Sequence, residues 1–496
     1  MGCCFDDLLA GGIVLTVLGC LPLIGALVAV FVHGRTRQLV CLGFAVATLA
    51  LAIYATIQRD NLTQVYSWIP QVGAWYSLRL DGLAALLVLV SALLVIVVAI
   101  VHLTPSTEAS PTFLPLALAL EGLALFTFMA NDALLFFIFF EATLVPMYFL
   151  ISIGGDQQRS GAALKFLLYS LAGGLVLLGG IVYLMVVAHG MRFDQLATLA
   201  LAPGVQQVLF VVFFVAFAVK APLVPLHPWL PDAVEYGQPT SSVLLVGMLD
   251  GIGLFGMVRF CLGVTPQGAA WGAFAVEIVA VVTIVYGALA AIASRSVMRL
   301  AAFASISHAG FMVLGLFALT SSALTGAMTY AGAHALSGAA LLLVAEWVVA
   351  RRGDSLGLGT FGGLARRAPV LGGAFLMAGL ATLALPGSAN FAAEFSVIVG
   401  AWARHPVLTA VSLAGVLAAG VYVLWAYQRV FTGDDDAATV DAPGDIEWPA
   451  RLAIGILLAG LLAFGFYPRP AQQLVDANTT SIMTAAQVSD PQPGGR

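Results

Sequence analysis

Runs of roughly 20 apolar residues recur along this chain from Gly11 to Phe466, and a helix of that length is what crossing a hydrocarbon core requires. Charged residues make up only 9% of the sequence against 61% hydrophobic, where a soluble domain carries roughly 25% charged residues. No water-soluble packing hides that much apolar surface, so the bilayer is the solvent. Lipid offers no partner to backbone polar groups, which leaves a helix bundle or a closed β-barrel. The runs are too long and too uniformly apolar for barrel strands. The expected fold is therefore an all-α membrane protein.

A hydropathy pass places about fourteen transmembrane helices, near 10–32, 38–57, 80–103, 111–130, 133–151, 162–187, 205–224, 240–262, 270–293, 299–319, 322–349, 370–398, 407–428 and 450–467. Basic residues orient them. If the loop with Arg35 and Arg37 is cytoplasmic, that side also receives Arg159, Lys165, Arg295, Arg299, Arg351, Arg352, Arg366, Arg367, Arg429 and Arg451. The opposite side receives Arg59, Arg79, Arg192, Arg259, Arg404, Arg469 and Arg496, with both termini outside. The acidic loop from Asp434 to Glu447 is then cytoplasmic and reads as a solvated loop or a docking surface. From Pro470 the tail is polar and is expected to be partly disordered. Cys3, Cys4, Cys20, Cys41 and Cys261 show no metal or redox spacing and read as small packing residues. The first run follows Asp6 and Asp7 rather than a basic segment, so it reads as a retained helix. A net charge of −5 offers nothing to nucleic acid.

Two spans are interrupted in the same way. In the seventh, "FAVKAPLVPLHPWLPDA" sets Pro222, Pro225, Pro228 and Pro231 directly after a lysine; in the twelfth, "LALPGSANFAAEF" sets Pro386, Gly387 and Ser388 before a glutamate. Proline and glycine inside a span free backbone groups that only protein or a water-filled cavity can satisfy. Paired breaks in two halves are what inverted-repeat transporters show near their ion sites. The spacing suggests two inverted five-helix repeats, spans 4–8 over 111–262 and spans 9–13 over 270–428. Three helices precede them within 1–110, and a last helix with its polar tail follows over 450–496.

Ionisable side chains at bilayer depth cost about 2.5–3.5 kcal/mol each on insertion scales and mark ion paths. Here they are Glu141, Lys220, Asp250, Glu277, His308, His334 and Glu394, with Glu121 as a further deep acid. Glu121 and Glu277 read equally well as satisfied hydrogen-bonders between helices. One deep lysine faces four deep carboxylates if Glu141, Asp250, Glu277 and Glu394 all lie at mid-membrane, and a low-dielectric interior does not let all of them ionise. Groups perturbed in this way titrate where a proton relay needs them. Histidines need little perturbation to do so.

Several strings resemble the antiporter-like subunits of respiratory complex I, a family shared with multisubunit cation/proton antiporters. "NDALLFFIFFEATLVPMYFLI" resembles the fifth-helix motif, with Glu141 on the family's key glutamate. "GAALKFLLYSLAG" is similar to the sixth-helix signature, and "VKAPLVPLHPWLPDA" to the broken seventh helix with Lys220 on the central lysine. "MRLAAFASISHAGF" and "AHALSGAALLL" place His308 and His334 on the relay histidines. The resemblance runs from Asp81 and Gly82 to Glu394 and beyond. Within the family, glutamate in the twelfth helix, as in "ANFAAEF", resembles the M type; the L and N types and the antiporter D type carry lysine there. One departure stands out. The eighth helix of the family carries a lysine where "GMLDGIGLFGMVRF" has Gly251, preceded by Asp250. Asp250 is the expected substitute, with Glu277 as a possible helper, although a one-residue shift turns a helical side chain by about 100°.

The resemblance implies a proton-translocating subunit in which quinone reduction elsewhere changes how tightly Glu141 holds Lys220, sending a proton toward Asp250, His308, His334 and Glu394. It implies partners in the membrane arm, including the L and N antiporter-like subunits, with FMN, iron–sulfur clusters and quinone bound by other subunits. This chain has no Gly-rich nucleotide fingerprint and no cysteine cluster of its own. A bacterial inner membrane is the expected location. Two other readings stay open: a subunit of a cation/proton antiporter, and a non-conducting structural subunit of the membrane arm.

Overall fold

Where the apolar runs predict helices, the chain forms them. The computed structural model describes residues 13–104, 110–155, 157–238, 240–352, 358, 362–433 and 444–491. The helices are α1 (Val14–Phe31), α2 (Gly34–Ile57), α3 (Gly82–Val101), α4 (Phe113–Met129), α5 (Ala133–Ser152) and α6 (Gln157–Val187). Then follow α7 in two pieces, α7a (Pro203–Lys220) and α7b (Trp229–Tyr236), α8 (Ser241–Leu262), α9 (Pro266–Ala293), α10 (Val297–Phe317) and α11 (Ser321–Arg352). The last are α12a (Pro369–Thr382), α12b (Ala389–Arg404), α13 (Pro406–Phe431), α14 (Trp448–Phe466) and α15 (Arg469–Ala485). Among the described residues twelve helices are long and apolar enough to cross a membrane, and α4 and α12a are shorter apolar helices.

Burial sorts them into layers. Helices α3, α8 and α10 are almost entirely enclosed, whereas α1, α6, α9 and α13 expose large apolar side chains such as Phe31, Leu175, Trp271 and Leu417. That is the pattern of a bundle whose outer wall meets lipid and whose centre meets only protein.

The interruptions have local causes. Pro146 has no N–H to give to the carbonyl of Ala142, and α5 kinks there into Ala133–Ala142 and Leu144–Ser152, with the Thr143 hydroxyl donating instead to the Phe140 carbonyl at 2.6 Å. Its prolines end α7a at Lys220, and the indole of Trp229 donates to the Val219 carbonyl at 2.9 Å, satisfying one acceptor at that helix end. At the α12 break Gly387 takes φ +98°, and Ser388 caps the restart of the helix by accepting the N–H of Phe391. In α8, an α-helical stretch Asp250–Gly256 lies between two wider π-helical stretches, Leu245–Leu249 and Met257–Leu262. Such turns cluster at functional sites.

Two elements differ from the sequence reading. An antiparallel hairpin, β1 (Thr63–Ile69) and β2 (Ala74–Arg79), fills the connection between α2 and α3. Asp132 fastens it, accepting from the Trp75 N–H as well as from the first-turn N–H groups of Leu134 and Leu135 in α5. The polar tail is also not loose through Ala485: α15 is a helix docked on α3 and α11. Its buried residues Ala471, Val475, Thr479 and Ile482 form one stripe, a pattern too polar overall for a hydropathy scan to find. Of the acidic loop, residues 434–443 lie outside the described residues.

Candidate functional site

Glu141 sits two residues before Thr143, where α5 kinks, and its position depends on a neighbour with no side chain. A Cβ built on Gly174 of α6 would lie 1.9 Å from Glu141 Oε1, so the carboxylate lies directly on the α6 backbone. Only glycine leaves that space. Oε1 is buried with no protein hydrogen-bond partner.

Lys220 is the last residue of α7a, where the helix breaks. Its Nζ is buried with no protein hydrogen-bond partner, and it lies 5.5 Å from the ring centroid of Phe140 and 5.0 Å from that of Phe166. Aromatic faces attract a cation at such distances. The carboxylates whose fields reach it are Glu141 first and Asp250 second. The expected pair makes no direct hydrogen bond: the ammonium faces aromatic rings, and Glu141 Oε1 is likewise without a protein partner.

From Asp250 onward the groups connect through atoms. The Ser305 hydroxyl of α10 lies 3.5 Å from Asp250 Oδ2 and 3.0 Å from His334 Nε2 of α11. His334 Nδ1 meets His308 Nδ1 at 3.2 Å, the two rings standing at right angles. His308 also lies beside Thr382, the residue at which α12a ends. There it lines a pocket with Glu394, Leu383 and Tyr422. Glu394 Oε2 accepts from the Tyr330 hydroxyl of α11 at 2.7 Å. Lys220, Asp250, His308, His334 and Glu394 are all between 1% and 4% exposed. The helix breaks therefore stand at the two ends of one buried series, which begins at Glu141 and Lys220 and ends at Glu394.

The other deep acids lie elsewhere. Glu277 hydrogen-bonds His405 rather than any group of the series: His405 Nδ1 lies 2.8 and 3.0 Å from its two oxygens, at the α12b–α13 corner. Glu121 is enclosed in α4 with neither oxygen partnered by protein. Four residues of the site were not singled out from sequence. Ser305 and Tyr330 lie three and four residues before His308 and His334, one helical turn along the same faces, and that period is the signal that finds them. Tyr422 and Gly174 act from other helices and give no such signal. Glu346 of α11 also escaped notice: it accepts from the Thr240 N–H and the Ser242 hydroxyl, capping α8.

Comparisons with known proteins bear on this geometry. Residues 130–420 match the family model described as NADH:quinone oxidoreductase/Mrp antiporter, TM. A curated NADH-quinone oxidoreductase subunit M of Mycobacterium tuberculosis is 35% identical over 529 residues, covering 97% of this chain and 95% of the relative. An NAD(P)H-quinone oxidoreductase chain 4 of Synechococcus is 35% identical, covering 87% of this chain and 84% of its own length. Among solved structures, a chain of respiratory complex I from Thermus thermophilus superposes with a TM-score of 0.86 at 28% identity, covering 94% of this chain and 99% of that one. A chain of the Mrp complex from Dietzia shares the fold at a TM-score of 0.85 and 22% identity, covering 95% and 99%. With a family match across most of its spans and relatives aligned nearly end to end, this chain belongs to the NADH:quinone oxidoreductase/Mrp antiporter transmembrane family.

Proposed function

We propose that this chain is the M-type antiporter-like subunit of a bacterial NADH:quinone oxidoreductase, conducting protons through the inner membrane while quinone is reduced in other subunits. The observation that carries the reading is the buried series Lys220, Asp250, Ser305, His334, His308, Glu394, in which every step after Asp250 is an atomic contact or a shared pocket. The names and assemblies of the relatives supply its setting. Its partners are the other membrane-arm subunits, the L and N antiporter-like subunits among them, and FMN, iron–sulfur clusters and quinone belong to partner chains. The matching breaks in α7 and α12 support a bundle of two inverted five-helix repeats, over 111–262 and 270–428.

In this reading a charge shift in a neighbouring subunit moves the Glu141 carboxylate relative to Lys220. When Glu141 withdraws, the ammonium loses its nearest counter-charge and gives its proton toward Asp250. Ser305 relays it by accepting at oxygen and donating its own hydrogen to His334 Nε2. His334 and His308 exchange it through their facing Nδ1 atoms, and Glu394 receives it with the Tyr330 hydroxyl holding the carboxylate in place. Asp250, one residue before the position of the family's eighth-helix lysine, thus takes that lysine's part with opposite charge. Return of Glu141 reloads Lys220. This is a coupling between sites, and its strength is the differential contact that Glu141 makes in the two states.

Lys220→Ala in the assembled complex tests it. NADH-driven acidification of membrane vesicles is expected to fall at least about tenfold, within the range of a typical coupling energy, with all subunits still co-purifying. An assembled Lys220→Ala complex that pumps like the parent would rule the reading out. Cation-dependent proton exchange without an electron donor would point to an antiporter instead.

A further inference from the structure

Glu277 and His405 form a titratable pair outside the series described above. The Glu277 side chain is 1% exposed, and the His405 side chain holding both its oxygens is 32% exposed. The pair therefore joins an enclosed acid to a ring in reach of the surface. It lies at the opposite end of the bundle from the charged cluster in which Arg299 pairs with Glu235 and Lys165 with Asp232. Helix α10 measures that separation: Arg299 is near its start, and the carbonyl of Leu319, just past its end, accepts from Arg404 beside His405. Twenty residues of helix span about 30 Å.

A polar face leads from the pair back to the inner pocket. Along α13, His405 is followed at helical spacing by Thr409 and Ser412, both wholly buried, and then by Gly415, Val416, Ala419 and Tyr422, which line the pocket of His308 and Glu394. The Thr409 and Ser412 hydroxyls donate to the carbonyls of His405 and Thr409 at 3.0 and 2.7 Å, which fixes their oxygens along this face. From Gly415 to His405 is about 15 Å of helix. Each hydroxyl gives its hydrogen to a backbone carbonyl and keeps its oxygen lone pairs as acceptors along this face.

We propose that the Glu277–His405 pair is the station at which protons leave this chain on the side opposite the Arg299 cluster, reached from the Glu394 pocket along the Thr409–Ser412 face. The proposal rests on the proton-conducting reading above. The step is proton transfer alone. The O–H bond of a protonated Glu277 breaks as an Nδ1–H bond forms on His405; the imidazolium swings outward, loses that Nδ1 proton to bulk water and returns neutral. The carboxylate then takes its next proton from the pocket. Apart from His405, the charge that bears on Glu277 is Arg404, already donating to the carbonyls of Leu319 and Ser489. Against α9, α7a brings the neutral Gln206 and the ring of Phe210, which meets Phe317 of α10. Lys220 is at the far end of α7a, and Arg259 of α8 is paired with Asp81.

The test uses the whole complex in sealed vesicles, with NADH and a short-chain quinone as probes and a pH-sensitive dye as readout. Glu277→Gln and His405→Gln are each expected to lower NADH-driven proton transfer about fivefold, a typical coupling factor, and to flatten its dependence on pH on the release side. Glu277→Asp is expected to recover part of the loss, which a packing defect would not. If both variants pump with the parent's rate and pH profile while Lys220→Ala does not, this exit assignment is wrong and the inner path stands. If Lys220→Ala also pumps normally, both fall. Should Glu277→Gln fail to assemble, His405→Gln at the exposed corner decides alone.

Discussion

At the scale of single residues, the two most exacting positions are the ones that touch the carboxylate and bridge the acid to the imidazoles. Gly174→Ala would place a methyl group where Glu141 Oε1 now lies. The acid must then leave the α6 backbone, the wall against which it is held, and its placement relative to Lys220 changes. Proton pumping is expected to drop about tenfold, a change in coupling of about 1.4 kcal/mol, while the complex still assembles and quinone reduction by detergent-solubilised enzyme is spared. Equal losses of assembly and pumping would show a packing role only. Ser305→Ala removes the hydroxyl between Asp250 and His334. Its expected signature is slower pumping with a larger solvent deuterium isotope effect, and Ser305→Thr, which keeps the hydroxyl, is expected to restore most of the rate.

Among the elements, α15 is held by a small set of polar contacts. Asn478 accepts from the Leu83 N–H and donates to Asp81 Oδ2, and Asp81 also takes Arg259 of α8 and the Ala84 N–H of α3. Burial pushes the Asp81 carboxyl up, but Arg259 and the Ala84 and Asn478 donors outweigh it and hold it below its ordinary 3.8. An acid so depressed contributes stability that is complete above its ordinary value and is lost as pH falls through the depressed one. A spin label on the outer face of α15 is therefore expected to keep its mobility between about pH 8 and about pH 5 and to loosen only below about pH 4. Asp81→Asn is expected to loosen it at all these values, by about 1–3 kcal/mol; a label that moves freely in the parent would contradict the clamp.

For the whole molecule, the lipid-spanning plan was legible because hydropathy and proline act locally: each apolar run is its own signal, and "KAPLVPLHPWLP" writes the α7 break into the chain. The hairpin β1–β2 was passed over because it lies in a connection between spans, where only the β-branched and aromatic residues Val65, Tyr66, Trp68, Trp75 and Tyr76 betray it. The kink in α5 is written into the chain by Pro146. Of the deep ionisable residues named from sequence, Lys220, Asp250, His308, His334 and Glu394 are buried and Glu141 is half-buried, yet the connections between them are not legible in the sequence. Ser305 joins α8 to α11 from α10, and Gly174 shapes Glu141 from α6, so each is defined by helix packing that no single segment encodes. Glu277 shows the converse: it is buried, as its place in an apolar run suggests, but its partner, His405, is 128 residues away.

The break after Lys220 also has an effect of its own. Every helix ends in carbonyls whose dipoles sum to about half a negative charge, and by stopping at Lys220 the chain sets that end inside the bundle at the residue that carries the ammonium. Trp229 occupies one of these carbonyls; the others are backbone, and no side-chain substitution removes them. The cation is thus never wholly without an opposing field when its acidic neighbour turns away, and a segment running straight through would have left that pole at the membrane surface.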